Sequence, residues 1–364
     1  MSDLKKKYNE LWKEKCSLYP DISQIHELPD VRRIIVIGDL HGDYKATIES
    51  LLIGKVINKQ KKWIGGETVV VQVGDQIDRC RPSNWDMNDI CCEDDDELYQ
   101  DEGSDLKIIC LFNKLHKQAL KEGGAVISIL GNHELMNVDG DFRYVSPREF
   151  REFGNYFKAS RSQKNKSLPY GYFERRNAFS PGGVLARRMA QTRYSIVQVG
   201  SWVFVHGGIH PILASSFSIH DINKNIKKWL EGESLEKNHE LKKNIDFIYH
   251  NEDDSVSPFW SRIYSDLEEY NTQAEQTFKQ TIDILNRKNN RNSESQIKGM
   301  IMGHSPQFMY NKGINSACNN KVWRVDIGAS KAFGPVNNSN ESKLRKVQIL
   351  VINNDNDFQI LKEP

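Results

Sequence analysis

The stretch VISILGNHELMN, residues 126–137, opens as a buried strand and closes on polar chemistry. Val126, Ile127, Ile129 and Leu130 are strand-formers. Gly131, Asn132, His133 and Glu134 follow at once. A plain turn needs only the glycine and the asparagine. An imidazole and a carboxylate at the end of an apolar run are costly to bury without partners. Two upstream stretches share the form. RRIIVIGDLHGD ends the apolar run 34–37 in Gly38-Asp39-Leu40-His41. TVVVQVGDQIDR ends the run 69–73 in Gly74-Asp75, with Asp78-Arg79 just after.

Between these runs, 44–53 and 105–121 carry helical patterns; in the second, Leu106, Ile109, Phe112, Leu115 and Leu120 fall near helical spacing. Strands alternating with helices predict a largely parallel sheet covered on both faces. Downstream, 194–199 and 202–205 read as a hairpin about a Gly-Ser turn, its second arm ending in His206-Gly207-Gly208. GMIMGHSP is a further short strand ending in Gly303-His304. KVWRVDIGA (321–329) and KVQILVINND (346–355) read as late strands of a second sheet. No repeat of solenoid period is present.

The chain has 364 residues, 38% hydrophobic and 10% aromatic, which supports a sizeable core. Its 50 basic and 49 acidic side chains leave a formal charge of +1, so no broad field favours a nucleic-acid or membrane partner. Residues 1–30 predict a polar helical extension, closed by Pro20 and Pro29, ahead of one domain over 31–364. With no apolar leader and no run of membrane-spanning length, a soluble cytoplasmic protein is expected. Six cysteines form no C-x-x-C pair and read as reduced thiols. The polar tracts 82–105, 286–297 and 336–344 read as surface loops.

Five strand ends therefore carry polar clusters, and loops at the carboxyl ends of parallel strands converge. Carboxylate, amide and imidazole donors without thiolates suit divalent Mn, Fe or Zn. Two cations held close together need a shared anionic ligand, and a water between them becomes a hydroxide nucleophile near neutral pH.

In their order, G-D-x-H-G, G-D-x-x-D-R, G-N-H-E, H-G-G and a late G-H resemble the phosphoprotein phosphatase family of dinuclear metallophosphoesterases. The resemblance is stronger to its Shewanella-like branch, through 131–150, FSPGGVLARRMA (179–190), PFWSRIY (258–264), MGHSPQ (302–307) and WRVDIGASKAFG (323–334). It spans about residues 31–335. It implies a calcineurin-like α/β fold, two β-sheets packed as a sandwich with helices outside. It also implies two divalent metal ions. Asp39 and His41 would bind one, Asp75 would bridge both, and Asn132, His206 and His304 would complete the second. Arg79, Arg262 and Asn132 would hold the substrate phosphate. His133 would serve as general acid, paired with Asp78. Glu134 is expected to support the site by hydrogen bonds rather than ligation. His210 is expected to be a loop histidine. The implied activity is removal of phosphate from phosphotyrosine or phosphoserine/threonine in proteins. A small-molecule phosphoesterase, such as a diadenosine polyphosphate hydrolase, shares these motifs and is the alternative.

Two departures stand out. Cys80 follows Arg79 where the family pattern has glycine; were φ positive there, cysteine would be strained. The 82–105 tract holds ten acidic residues and no basic one, and is expected to be a solvated loop or a rim that selects basic substrates.

Overall fold

The computed structural model describes residues 26–81, 100–158, 168–267, 271–289 and 295–363. Among the described residues twelve strands run in chain order: β1 Glu27–Leu28, β2 Arg33–Ile37, β3 Val69–Gln72, β4 Ala125–Ile129, β5 Arg193–Tyr194, β6 Ile196–Val199, β7 Trp202–Val205, β8 Gly299–Met302, β9 Asn315–Ala317, β10 Val322–Arg324, β11 Gln348–Asn353 and β12 Asp357–Lys362. They form two six-stranded sheets, β12-β11-β2-β3-β4-β5 and β1-β6-β7-β8-β10-β9. The first sheet is parallel from β2 to β5, with β11 antiparallel on β2 and β12 antiparallel on β11. In the second, β7, β8 and β10 are parallel neighbours.

Three apolar layers follow from strand alternation. Ile34, Val36, Val69, Val71, Ile127 and Ile129 face Val197, Phe204, Ile301 and Trp323 between the sheets. The alternate residues Ile35, Ile37, Val70 and Val126 face outward onto Leu51, Ile108, Phe112 and Leu115. Those last four sit on helices Tyr44–Ile53 and Asp105–Ala119, which cover that face. On the far side, Ile196, Val203, Val205, Met300 and Met302 pack against Ile222, Ile226, Phe278, Ile282 and Leu285. A strand buried on both faces is mostly apolar, which is why these runs show no polar alternation; the buried exceptions Gln72 and Ser128 are each hydrogen-bonded. The two-sheet sandwich with outer helices is the architecture the motif resemblance implies.

The structure also corrects several expectations. β10 joins the second sheet as expected, but β11 pairs with β2 in the first. A helical extension reaching residue 30 is replaced at Glu27–Leu28 by a strand on β6, while residues 1–25 lie outside the described residues. Of the acidic tract, 82–99 lies outside the described residues; Asp101 and Asp105 are buried, not solvated, and Asp105 opens the helix Asp105–Ala119. Residues 286–288 end the helix Thr272–Lys288, Ile297 is buried, and 290–294 are outside the described residues. Residues Ser339–Leu344 form a short helix capped by Asn338. Cys80 is disulfide-bonded rather than a free thiol; Cys110 and Cys318 are free. Cys80 is not among the residues with positive φ, so its replacement of glycine carries no left-handed strain. No helix among the described residues is long and apolar enough to cross a membrane.

Gly299 opens β8 against the ring of Trp202, whose Nε1 donates to the Asp355 carbonyl at 2.9 Å and whose ring meets Phe358 edge-on. A Cβ at 299 would lie 1.9 Å from that ring. Gly299→Ala should therefore destabilise by ~1–3 kcal/mol through overpacking, read as a lowered urea midpoint at unchanged slope.

Candidate active site

Six strands deliver the polar clusters to one edge of the sandwich. β2, β3 and β4 end beside Asp39, Asp75 and Asn132; β7, β8 and β10 end beside His206, His304 and Asp326. Because each trio is parallel, all its carboxyl ends lie at the same edge, and the two edges meet. Leu40 and His41 N–H groups both donate to the Asp75 carbonyl at 2.9 Å, and Gly303 N–H donates to the His206 carbonyl at 2.8 Å, tying the loops together. His41, Asp75, Asp78 and His304 all adopt left-handed backbone, with φ of 42°, 52°, 73° and 67°. Non-glycine residues occupy that region at a cost of about 1–2 kcal/mol each, and such positions concentrate where geometry is held for function. Gly131 is needed for close approach: a Cβ there would stand 2.0 Å from Asp75 Oδ1.

The expected ligands converge. His41 Nε2 lies 3.9 Å from Asp39 Oδ2 and 3.8 Å from Asp75 Oδ2. On the other side, His206 Nε2 lies 3.2 Å from Asp75 Oδ2 and 2.9 Å from Asn132 Oδ1, and His304 Nδ1 lies 3.0 Å from Asn132 Oδ1. Two overlapping clusters result, one of His41, Asp75 and His133 and one of Asp75, His206 and His304. A carbonyl can only accept, so two ring tautomers are determined. His206 Nδ1 donates to the Val73 carbonyl at 2.8 Å and His304 Nε2 to the Trp260 carbonyl at 3.1 Å. Each ring thus anchors one nitrogen on backbone and turns the other inward, as metal-binding histidines do.

Burial, reinforced by Arg81 and His133, pushes the His41 pKa well down; burial and Arg262 do the same to His304. Both rings are neutral and ready to ligate. Burial alone would raise the Asp75 pKa, but His206 and His133 carry it well below the carboxylate range. The Asp39 pKa is raised well above that range by burial and by Asp326 and Asp75. Asp326 itself is pushed up to about 6, first by burial. Asp39 Oδ1 and Asp326 Oδ2 are buried without a hydrogen-bond partner. Three mutually repelling carboxylates, two of them with an orphaned oxygen, beside neutral imidazoles, fit divalent cations.

Glu134 does not face the ligands. Its carboxylate accepts N–H groups from Asp75 at 3.0 Å, Gln76 at 2.8 Å and Gly131 at 2.7 Å, so it holds the backbone of two motifs. His210 caps the helix Pro211–Ser216 by accepting from Ile212 N–H, away from the site. His133 sits between carboxylates: Nδ1 is 2.9 Å from Asp78 Oδ2, and Nε2 is 3.8 Å from Asp75 Oδ2.

Behind Asp78 lies a network that no motif announced. Arg175 Nη2 donates to Asp78 Oδ1 at 2.9 Å, Nη1 to Asp105 Oδ2 at 2.8 Å and Nε to Asn137 Oδ1 at 2.7 Å. Asn137 Nδ2 in turn reaches both Asp78 oxygens at 3.0 Å. The Arg175 guanidinium is fully buried beside Phe153 and Phe179. Burial lowers its pKa, but Asp105 and Asp78 more than reverse this. Glu149, raised well above the carboxylate range by burial and Asp105, adds a hydrogen bond to Asp105. Asp78, Asp105 and Glu149 have the spacing of a metal cluster, but Arg175 already supplies their cation.

A cavity of about 580 Å³ opens over His41, Asp75, Asn132, His133 and His304. Tyr144, Trp260, Phe308 and Phe333 line it, together with Arg79, Arg81 and Arg262. Arg262 Nη1 donates to Ser305 Oγ at 2.9 Å beside His304. Arg79 is only 1% exposed; Nη1 lies 3.1 Å from Asp43 Oδ2, and Nη2 donates to the Gln100 carbonyl at 3.0 Å.

Residues 32–327 match the model of the calcineurin-like phosphoesterase family, and the chain belongs to that family. Among its relatives is Shewanella-like protein phosphatase 2 of Arabidopsis thaliana, 31% identical across 82% of this chain and 72% of that protein. An uncharacterized protein of Acanthamoeba polyphaga mimivirus is 35% identical across 69% of this chain and 97% of its own length. The solved structure of a cold-active protein tyrosine phosphatase superposes with a TM-score of 0.61 at 20% identity, over 94% of this chain and 84% of that one. That likeness confirms the fold. The family and the donor set together imply divalent metal ions.

Two measurements probe this arrangement. Arg175→Met leaves Asp105 buried without its cation and Asp78 with only Asn137 and His133, and should destabilise by ~3–5 kcal/mol in urea unfolding. Chelation should lower the melting temperature and added Mn restore it, the gain being about 2.7 kcal/mol at a hundredfold excess over Kd; Asp75→Asn should abolish that Mn response.

Proposed function

We propose that the chain is a metal-dependent protein phosphatase, a phosphoric monoester hydrolase, with a preference for phosphotyrosine. The observation that carries this is His133: its Nδ1 is engaged by Asp78 while its Nε2 points to the shared ligand Asp75, at the floor of the cavity. Divalent ions held by Asp39, His41, Asp75, Asn132, His206 and His304 supply charge neutralisation and an activated water when bound; their identity among Mn, Fe and Zn is left to metal analysis.

The chain's own residues perform the rest. Asp78 accepts the Nδ1 proton, which leaves Nε2 to carry the proton that the departing oxygen needs. Arg175 and Asn137 hold Asp78 from behind, so the ring cannot swing. Arg262 borders the cavity beside His304 and presents guanidinium donors to a substrate phosphate oxygen. Asn132 lies between the two metal-side histidines and within reach of the same phosphate.

The walls favour an aryl ester. Tyr144 meets His133 edge-on at 4.7 Å between ring centroids, and Phe333 meets His41 at 5.6 Å. A phosphotyrosine ring gains aromatic contacts there that a serine methylene cannot. The Mn-loaded protein should hydrolyse phosphotyrosine peptides with higher kcat/KM than matched phosphoserine or phosphothreonine peptides. Turnover of diadenosine polyphosphate without turnover of any phosphopeptide would replace this reading with the small-molecule one. His133→Asn should retain metal but slow alkyl phosphate hydrolysis by ~10²–10⁴. The loss should shrink on nitrophenyl phosphate, whose leaving group needs no proton; equal losses on both would remove His133 from the acid role.

A further inference from the structure

One wall of the cavity is apolar. Pro306, Phe308 and Met309 come from the segment after His304, and Phe333 and Pro335 from the segment after Asp326. Phe308 and Phe333 join the two edge-on, with 5.6 Å between ring centroids. The first segment is a 3₁₀ turn, Gln307–Tyr310, on a firm base. Gln307 is buried; its N–H donates to the Asp326 carbonyl at 2.9 Å, its Nε2 donates to the Ser305 carbonyl at 2.9 Å, and its Oε1 accepts from Asn315 Nδ2 at 2.9 Å. The Arg345 guanidinium lies over the Phe308 ring at 5.1 Å and is itself held by the Gly328 and Ser330 carbonyls, each at 2.9 Å.

On this base the outward side chains are apolar and open to solvent. Met309 is 61% exposed, Tyr310 39% and Val336, beside Pro335, 46%. Single apolar side chains scattered over a surface need no explanation, but a group of them at a ligand cavity is the mark of an interaction site. Met309 belongs to both settings, since it lines the cavity and faces solvent. Among the described residues Asp75, at the floor, is the only carboxylate lining the cavity, so this wall offers a basic side chain no partner. The Lys331 ammonium, which also lines the cavity, is engaged by Gln100 Oε1. The reach fits a peptide. His41 meets Phe333 and Phe333 meets Phe308, each at 5.6 Å, while an extended chain advances ~3.3–3.6 Å per residue.

We propose that Phe308, Met309, Pro335 and Val336 form a specificity shelf that receives an aliphatic or aromatic side chain of the substrate peptide, within about three residues of the phosphorylated one. The shelf rests on the protein-phosphatase reading of the cavity and names the class of peptide it accepts, one with an apolar residue flanking the phosphorylated side chain. Its backbone is fixed by Gln307 and Arg345, so little ordering is needed on binding. Its outermost member is an unbranched thioether, which adapts to several apolar shapes. The shelf therefore selects apolar over charged residues and discriminates little among Leu, Met and Phe.

Steady-state kinetics of the full-length, Mn-loaded protein on matched phosphotyrosine peptides reads this directly. The peptides differ only in carrying Leu, Phe, Asp or Lys at one position within about three residues of the phosphotyrosine. At one or more positions Leu should exceed Asp and Lys in kcat/KM by ~10-fold or more, with Phe close to Leu. The gain should fall in KM with kcat little changed, as binding remote from the reacting bond does. Met309→Asp should bring the Leu-to-Asp ratio near one, and Met309→Leu should keep it; a ratio cancels any general loss of activity in the variant. Peptide turnover that is flat across the flanking residues, or that favours Asp or Lys, overturns the shelf alone. So does a Leu preference that survives both Met309→Asp and Val336→Asp. Hydrolysis of nitrophenyl phosphate with no turnover of any phosphopeptide sinks the protein-phosphatase reading and the shelf with it.

Discussion

The buried Asp75 carboxylate is the constraint on which the structure turns. It lies within 3.8 Å of His41, His133 and His206 at once, and it stays ionised because those imidazoles outweigh its burial. An uncompensated charge so deep would be costly. Everything near it is arranged to hold that one group still. Glu134 pins its N–H, two N–H groups from the β2 loop take its carbonyl, and His133 N–H donates to its Oδ1 at 3.1 Å. Its left-handed φ is affordable only in such a frame. The two sheets must end at the same edge for these contacts to form, so the site and the sandwich stand or fall together.

The charge balance around this point explains the wider anatomy. Carboxylates are concentrated at the strand ends, and each has a distinct partner. Asp75 faces imidazoles, Asp78 and Asp105 face Arg175, and Asp43 faces Arg79. Asp39 and Asp326 each accept one backbone N–H, from His304 and Gly328, and keep one oxygen without a partner, where divalent ions fit. Arginine is suited to the remaining pairings because it stays charged when buried and can engage several acceptors in fixed geometry. In this protein one arginine lies fully buried behind His133, while Arg79, Arg81 and Arg262 line the cavity. Position, rather than residue type, separates their tasks.

What could be read along the chain was whatever is local. Apolar runs ending in Gly-Asp, Gly-Asn-His-Glu or Gly-His announced strands whose ends carry polar clusters, because strand, turn and polar side chain lie within a few residues of one another. The hairpin of β6 and β7 and the helix Asp105–Ala119 were legible for the same reason. Glu134 was legible as a support because it directly follows two site residues. Asp326 had a weaker signal, a late strand followed by a carboxylate, without the preceding glycine that marked the other ends. Arg175 had none. It lies 97 residues from Asp78, in a helix whose sequence YFERRNAF carries no site pattern.

The sequence by itself carried the order of the strand ends that bear polar clusters, and the resemblance of those motifs carried the sandwich and the family. The strand ends follow from short-range periodicity and from side-chain chemistry that lies within a few residues. Only the tertiary structure decided which sheet receives β11, that Asp101 and Asp105 turn inward from an acidic tract, and that Arg175 reaches Asp78 and Asp105. The direction of a long side chain is decided by which partner the packed chain brings within a few ångströms, and that partner can lie anywhere along the sequence.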